Sequence, residues 1–210
     1  PMNPSLLTLL AVLVAYLLGS IPCGVWICRP LGKDPRQVGS GRTGGTNVYR
    51  TAGALPALLT VLGDGLKGAL AVWAAQRLVP GPGAGHDLAV ALAALAAILG
   101  HNYSFFAGFA GGAGSTPNIG AFLALSPHWA WFLLAAILGG LVWKLSRMAS
   151  VASLTLSATL LVLCTWFVAS GQRAPSLLIY ALGQLALVTW ALRPNLRRLR
   201  EGREIRVDDR

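Results

Sequence analysis

Long apolar runs leave this 210-residue chain few folds to choose from. They extend from Leu6 to Ile27, Ala54 to Ala75, Leu88 to Gly100, Gly120 to Trp143, Ala149 to Ala169 and Ser176 to Leu192. A helix of about 20 apolar residues crosses a hydrocarbon core about 30 Å thick, and several of the runs reach that length. Since 55% of the residues are hydrophobic and only 11% charged, the chain reads as an all-α polytopic integral membrane bundle, one domain over residues 1–210. The first run begins without Lys or Arg and continues through "GSIPCGVWICRP", which suits a retained helix better than a cleaved signal peptide. Cys23, Cys28 and Cys164 lie in or beside apolar segments with no Cys/His cluster around them. They read as small hydrophobes, without a zinc site or disulfide framework.

Charge placement predicts the topology. With the amino terminus outside, one face collects the first loop (Arg29, Lys33, Arg36, Arg42, Arg50), the "KLSR" link (Lys144, Arg147) and the tail (Arg193, Arg197, Arg198, Arg200, Arg203, Arg206, Arg210). Of the 17 Lys and Arg residues, only Lys67, Arg77 and Arg173 fall elsewhere. The positive-inside rule makes that face cytoplasmic, and "PGPGAGHD" (Pro80 to Asp87), free of Lys and Arg, suits the outer side. The third run returns inside near His101, so "KLSR" is inside only if the stretch from Thr116 to Trp143 crosses twice, turning at Ser126 to His128. The expectation is about seven transmembrane segments, the fourth short, with cytoplasmic loops at about 29–53, 101–118 and 144–153 and a cytoplasmic tail over 193–210. A single crossing there is the alternative, and it places Lys144 and Arg147 outside.

Asp64 and Lys67, in "LGDGLKG", are three residues apart inside the second run and share a helical face. Ionisable groups at membrane depth face the protein interior, either as an ion pair tying helices together or as the wall of a polar site.

The stretch "VGSGRTGGTNVYR" (Val38 to Arg50) follows the first run directly. Gly39, Gly41, Gly44 and Gly45 permit backbone N–H groups to converge as an anion nest, with Ser40, Thr43, Thr46 and Asn47 adding side-chain groups. Arg36, Arg42 and Arg50 supply forked donors that match phosphate oxygens. A nucleotide P-loop is excluded, because Gly45 stands where its lysine must be and a membrane helix precedes the loop. A flexible loop whose arginines only report topology is the alternative. Two further polar patches project to the same face, "GHNYSFFAGFAGGAGSTPN" (Gly100 to Asn118) and "SRMASVAS" (Ser146 to Ser153).

Taken together, the segment from Gly19 to Gly53, "DGLKG", "GHNYSFF" with "GFAGGAG", and the serines of "SRMASVAS" resemble the bacterial acyl-phosphate:glycerol-3-phosphate acyltransferases of the PlsY type. The resemblance covers almost the whole chain, through "RPNLRRLREGRE". It implies a seven-helix bacterial inner-membrane enzyme of phospholipid synthesis, with its site and carboxyl terminus in the cytoplasm. Such an enzyme moves a fatty acyl group from acyl phosphate to the sn-1 hydroxyl of glycerol 3-phosphate, with no metal, no cofactor and no nucleic-acid partner; membrane lipid is its other partner.

By motif position, Ser40, Thr46, Asn47 and Arg50 match the family's phosphate-contacting loop, and Ser150 or Ser153 matches the serine of its third motif. The implied catalytic set is Ser40, Arg50, Ser150, Ser153 and His101. The implied substrate and phosphate contacts are Gly39, Gly41, Arg42, Gly44, Gly45, Thr46, Asn47, Gly111, Gly112, Gly114 and Asn195. Arg42 replaces a family asparagine, Ala110 and Ala113 stand at two family lysines, and Leu192 stands at a histidine. Arg42 is therefore expected to reach toward Ala113 and replace the charge absent there. His101 serves either as an acid or base or as a residue that shapes the second motif. Phe105, Phe106 and Phe109 line either helices or an acyl groove. The residues by themselves also admit another phosphorylated acceptor, or a noncatalytic lipid- or phosphate-binding role.

Overall fold

Proline and glycine divide the apolar runs into the helices of the computed structural model, which describes residues 3–207; Arg210 of the basic tail lies outside them. Helix α1 (Pro4–Gly19) ends where Pro22 interrupts the backbone ladder, and the short α2 (Cys23–Cys28) completes the first membrane-length segment. The first loop contains α3 (Gly45–Ala52). Then follow α4 (Ala54–Leu78), α5 (Ala84–Asn102), α6 (Ser115–Leu125), α7 (Trp129–Ser146), α8 (Ala149–Ala169), α9 (Leu177–Ala191) and α10 (Arg193–Arg200). The described residues contain no strand.

Among the described residues five spans are long and apolar enough to cross a membrane alone, at 4–31, 54–78, 84–107, 129–146 and 149–169, and α9 reaches that length only when counted with α10, from which it is bent by 62°. Helix α6 stands where parity places the short fourth segment, but it is not among the spans long enough to cross alone. Its 11 residues rise about 16 Å, half of a hydrocarbon core, and the chain breaks after it at Ser126 to His128.

Lipid gives apolar faces no reason to leave it, so helices associate here through small residues and internal polar bonds. A Cβ at Gly19 would collide with the backbone of Ala97, and one at Gly100 with the carbonyl of Tyr16, so α1 and α5 cross at backbone contact. Gly120 lies equally close to Gly65, which seats the short α6 on α4. A buried polar bracket fixes the other side of α6: Asn118 donates to Gln184 Oε1 (2.6 Å), Tyr180 donates to Asn118 Oδ1 (2.6 Å), and Gln184 donates to the Ser157 carbonyl (2.8 Å).

The charged pair of α4 faces inward. Lys67 Nζ lies 2.7 Å from Asp64 Oδ1, and the two side chains are 5% and 1% exposed. Pro22 cannot donate a hydrogen bond, and the carbonyl of Ile21 beside it accepts one from Lys67 (2.7 Å). Lys67 also lies 2.9 Å from His101 Nδ1. The pair thus joins α4 to the α1/α2 break and to the end of α5, where the site begins.

Candidate active site

The three polar patches of the sequence meet at one end of the bundle around a cavity of about 130 Å³. Three helix N-termini open onto it. These are α3 at Gly44, Gly45 and Thr46, α6 at Gly114, Ser115 and Thr116, and α8 at Ala149 and Ser150. None of the three has a side-chain cap bond. Unpaired N–H groups and the positive ends of the helix dipoles together attract an anion.

Ser40, Arg42, Asn47 and Arg50 from the first loop, His101 from α5, Ser150 and Ser153 from α8, and Asn195 from α10 complete the predicted part of the wall. The remaining predicted glycines lie behind the lining. Gly39 and Gly41 take left-handed φ values of 55° and 68° that turn the loop. Gly111 and Gly112 press on His101, where a Cβ at Gly112 would collide with Nε2. Lys67 engages the other ring nitrogen, so these contacts fit the shaping role of His101 better than proton transfer.

Asn47 is a buckle as well as a lining residue. Its Nδ2 faces the carbonyls of Pro35 (2.6 Å), Val38 (2.9 Å) and Arg42 (2.8 Å), and its Oδ1 accepts from Ser40 N (3.1 Å). The Asn47 amide, expected to bind phosphate, therefore holds the loop in its curve. Beside the loop, Arg36 bonds Asp34 (2.7 Å), which holds the Asp34 carboxyl below the usual carboxylate range.

The polar cavity continues into an apolar groove of about 420 Å³ between α4, α6, α7 and α8. Leu58, Val61, Ile119, Trp143 and Leu156 line the groove, and Gly45, Thr46, Thr116 and Ser153 belong to both spaces. This is the shape of an amphiphile, with an anionic head among helix N-termini and a hydrocarbon tail toward lipid.

Residues 9–202 match the family model described as glycerol-3-phosphate acyltransferase. A glycerol-3-phosphate acyltransferase of Geobacter sulfurreducens is 40% identical over 198 residues, covering 94% of this chain and 96% of its own length. One from Synechococcus sp. (strain JA-3-3Ab) is 44% identical over 204 residues, covering 95% and 93%. The crystal structure of PlsY (YgiH), an integral membrane glycerol 3-phosphate acyltransferase, in its glycerol 3-phosphate form, superposes with a TM-score of 0.82 at 34% identity. It covers 95% of this chain and 94% of that one. The chain belongs to the glycerol-3-phosphate acyltransferase family.

Within that family fold, some side chains differ from the sequence reading. Arg42 does not reach across the cavity for Ala113. Its guanidinium donates to the Ala191 carbonyl, where the dipole at the C-terminus of α9 is negative, beside Leu192. Burial lowers the Arg42 pKa, the nearby Arg198 charge lowers it further, and Glu204 opposes both. Phe105, Phe106 and Phe109 form an exposed edge-to-face cluster, with centroids 5.4 and 6.3 Å apart, outside the groove. Glu204 and Ile205, absent from the residues expected at the site, also line the cavity. Only the match of "GRE" to the end of the terminal segment hinted at Glu204.

Proposed function

We propose that this cavity and groove transfer a fatty acyl group from acyl phosphate to the sn-1 hydroxyl of glycerol 3-phosphate, releasing 1-acylglycerol 3-phosphate and inorganic phosphate. The observation that carries the reading is the junction of the two spaces at Gly45, Thr46, Thr116 and Ser153. An acyl phosphate laid with its chain along Leu58, Ile119 and Leu156 brings its carbonyl to that junction and its phosphate among the helix N-termini. Because the carbonyl is already activated, orientation of the acceptor and stabilisation of the departing charge carry the reaction without a protein nucleophile. The acceptor oxygen bonds to the carbonyl carbon as the bond from that carbon to the phosphate oxygen breaks.

The contacts of the basic segments support a cytoplasmic site. Arg50 of the first loop donates to the Arg206 carbonyl of the tail (2.7 Å), and Val207 N of the tail donates to the Arg147 carbonyl of the "KLSR" link (2.7 Å). All three segments therefore lie at one end of the bundle, which the positive-inside rule assigns to the cytoplasm of a bacterial inner membrane. The amino terminus then lies outside, and residues 1–210 form one integral domain.

The groove gives the test. Beyond its own stretch of helix, nothing lies within 4 Å of a Cβ built at Gly140, so Gly140→Trp introduces its side chain where the acyl chain belongs. The expected result is a roughly tenfold or greater loss of kcat/KM with palmitoyl phosphate and little change with butyryl phosphate. Equal losses with both donors would refute the assignment of the groove.

A further inference from the structure

Where α1 gives way to α2, a hollow of about 470 Å³ opens beside the first loop and shares no lining residue with the cavity or the groove. Part of its wall is aromatic. Trp26 of α2 and Phe106, in the single 3-10 turn Phe105–Ala107, supply rings that are each half exposed. The rest is cationic, with Arg29, Lys33 and Arg36 set against the one carboxylate of the lining, Asp34. Arg36 takes that carboxylate at 2.7 Å. Arg29 and Lys33, both exposed, therefore stand without an ion pair or a side-chain hydrogen bond among the described residues.

The fold holds both parts of the wall in place. Gly32, at φ 66°, reverses the chain after Arg29–Leu31, and Lys33 N bonds back to the Cys28 carbonyl (3.3 Å), which returns Lys33 to the end of α2. On the other side Ser104 Oγ donates to the Ser20 carbonyl and Tyr16 Oη donates to the Tyr103 carbonyl (2.9 Å), so the turn that carries Phe106 is tied to the end of α1. Beyond that turn Gly108 and Phe109 take left-handed φ values of 66° and 63°, a conformation that resists a bulky side chain. The strained Phe109 ring is nevertheless left exposed with those of Phe105 and Phe106. Water penalises three exposed phenyl rings, and the headgroup boundary of a bilayer accepts them.

Aromatic and cationic walls together select the occupant. A free anion gains nothing from Trp26 and Phe106, and a zwitterionic headgroup brings an ammonium that Arg29 and Lys33 repel. A lipid with net negative charge matches both, its phosphate at Arg29 and Lys33 and the upper part of its chains against the rings. We propose that this hollow binds an anionic phospholipid of the leaflet that surrounds it. The assignment is independent of whether the cavity transfers acyl groups.

The experiment measures equilibrium binding of labelled phosphatidylglycerol and of phosphatidylcholine with the same acyl chains to the purified full chain in one uncharged detergent. Native protein is expected to prefer phosphatidylglycerol by roughly tenfold or more, the worth of two cations beside a lipid phosphate. Arg29→Gln combined with Lys33→Gln should reduce that preference to about twofold. Arg197→Gln combined with Arg200→Gln removes the same charge from exposed positions of α10 and should leave the preference as in native protein. Lys33→Gln alone should lower it about threefold and decides the matter if the first double variant does not accumulate. No preference in native protein, a preference that survives the changes at Arg29 and Lys33, or an equal fall in both double variants overturns the proposal. Displacement of phosphatidylglycerol by inorganic phosphate beyond that caused by chloride at equal ionic strength would overturn the lipid as occupant and leave a free-anion site.

Discussion

Replacing Lys67 by methionine removes the cation from the interior and leaves its partners in place. The ammonium engages Asp64 Oδ1 at 2.7 Å, the Ile21 carbonyl at 2.7 Å and His101 Nδ1 at 2.9 Å. Besides Lys67, the only ionisable base paired with Asp64 among the described residues is His101, whose Nδ1 lies 3.6 Å from Oδ1. Removing one member of a buried ion pair costs about 3–5 kcal/mol, because the remaining charge is left uncompensated. At about 2–4 °C per kcal/mol for a chain of this size, Lys67→Met should lower the unfolding midpoint by on the order of 10 °C. Asp64→Leu combined with Lys67→Met removes both charges, so the double variant should be more stable than Lys67→Met alone. The assay is thermal unfolding of purified protein in one detergent, with a double-mutant cycle. A double variant no more stable than Lys67→Met would refute the reasoning, as would a single variant with an unchanged midpoint.

Two further outcomes follow from the site and its position. Arg50→Ala should reduce kcat/KM for glycerol 3-phosphate by roughly tenfold to a hundredfold, the range of a charge-assisted hydrogen bond, measured at matched protein abundance; unchanged acceptor dependence would remove Arg50 from the ligands. Cysteines placed at Gly41 and Arg203 should be labelled from the cytoplasm and one at Gly83 from outside; labelling of Gly83 from the cytoplasm would overturn the orientation.

What the sequence made legible was set by local periodicity and by charge. The three-residue spacing of Asp64 and Lys67 fixes a shared helical face, and membrane depth turns that face inward, as the structure shows. Charge parity asked for a turn at Ser126 to His128, and the chain does break there, between the end of α6 at Leu125 and the start of α7 at Trp129. The polar patches meet because each terminates a helix at the same end of the bundle. What stayed hidden depends on contacts between distant residues. Glu204 is 54 positions from Ser150 and lies in a tail whose charge pattern reports only topology. Arg42 turns to Ala191, 149 positions away, because α9 ends there with unpaired carbonyls. Asn47 is a phosphate ligand by motif position, and only the folded loop shows three carbonyls facing its amide.

The proposed direct transfer between two phosphate-bearing substrates, in one cavity joined to one groove, ties phosphate release to acylation of the acceptor. The most direct measurement follows inorganic phosphate and lipid product together from palmitoyl phosphate, using purified protein with and without glycerol 3-phosphate. Phosphate and 1-palmitoylglycerol 3-phosphate should appear in equal amounts, with negligible release of either without the acceptor. Phosphate released at the same rate without glycerol 3-phosphate, or released with it but with no acylated product, would rule out direct transfer.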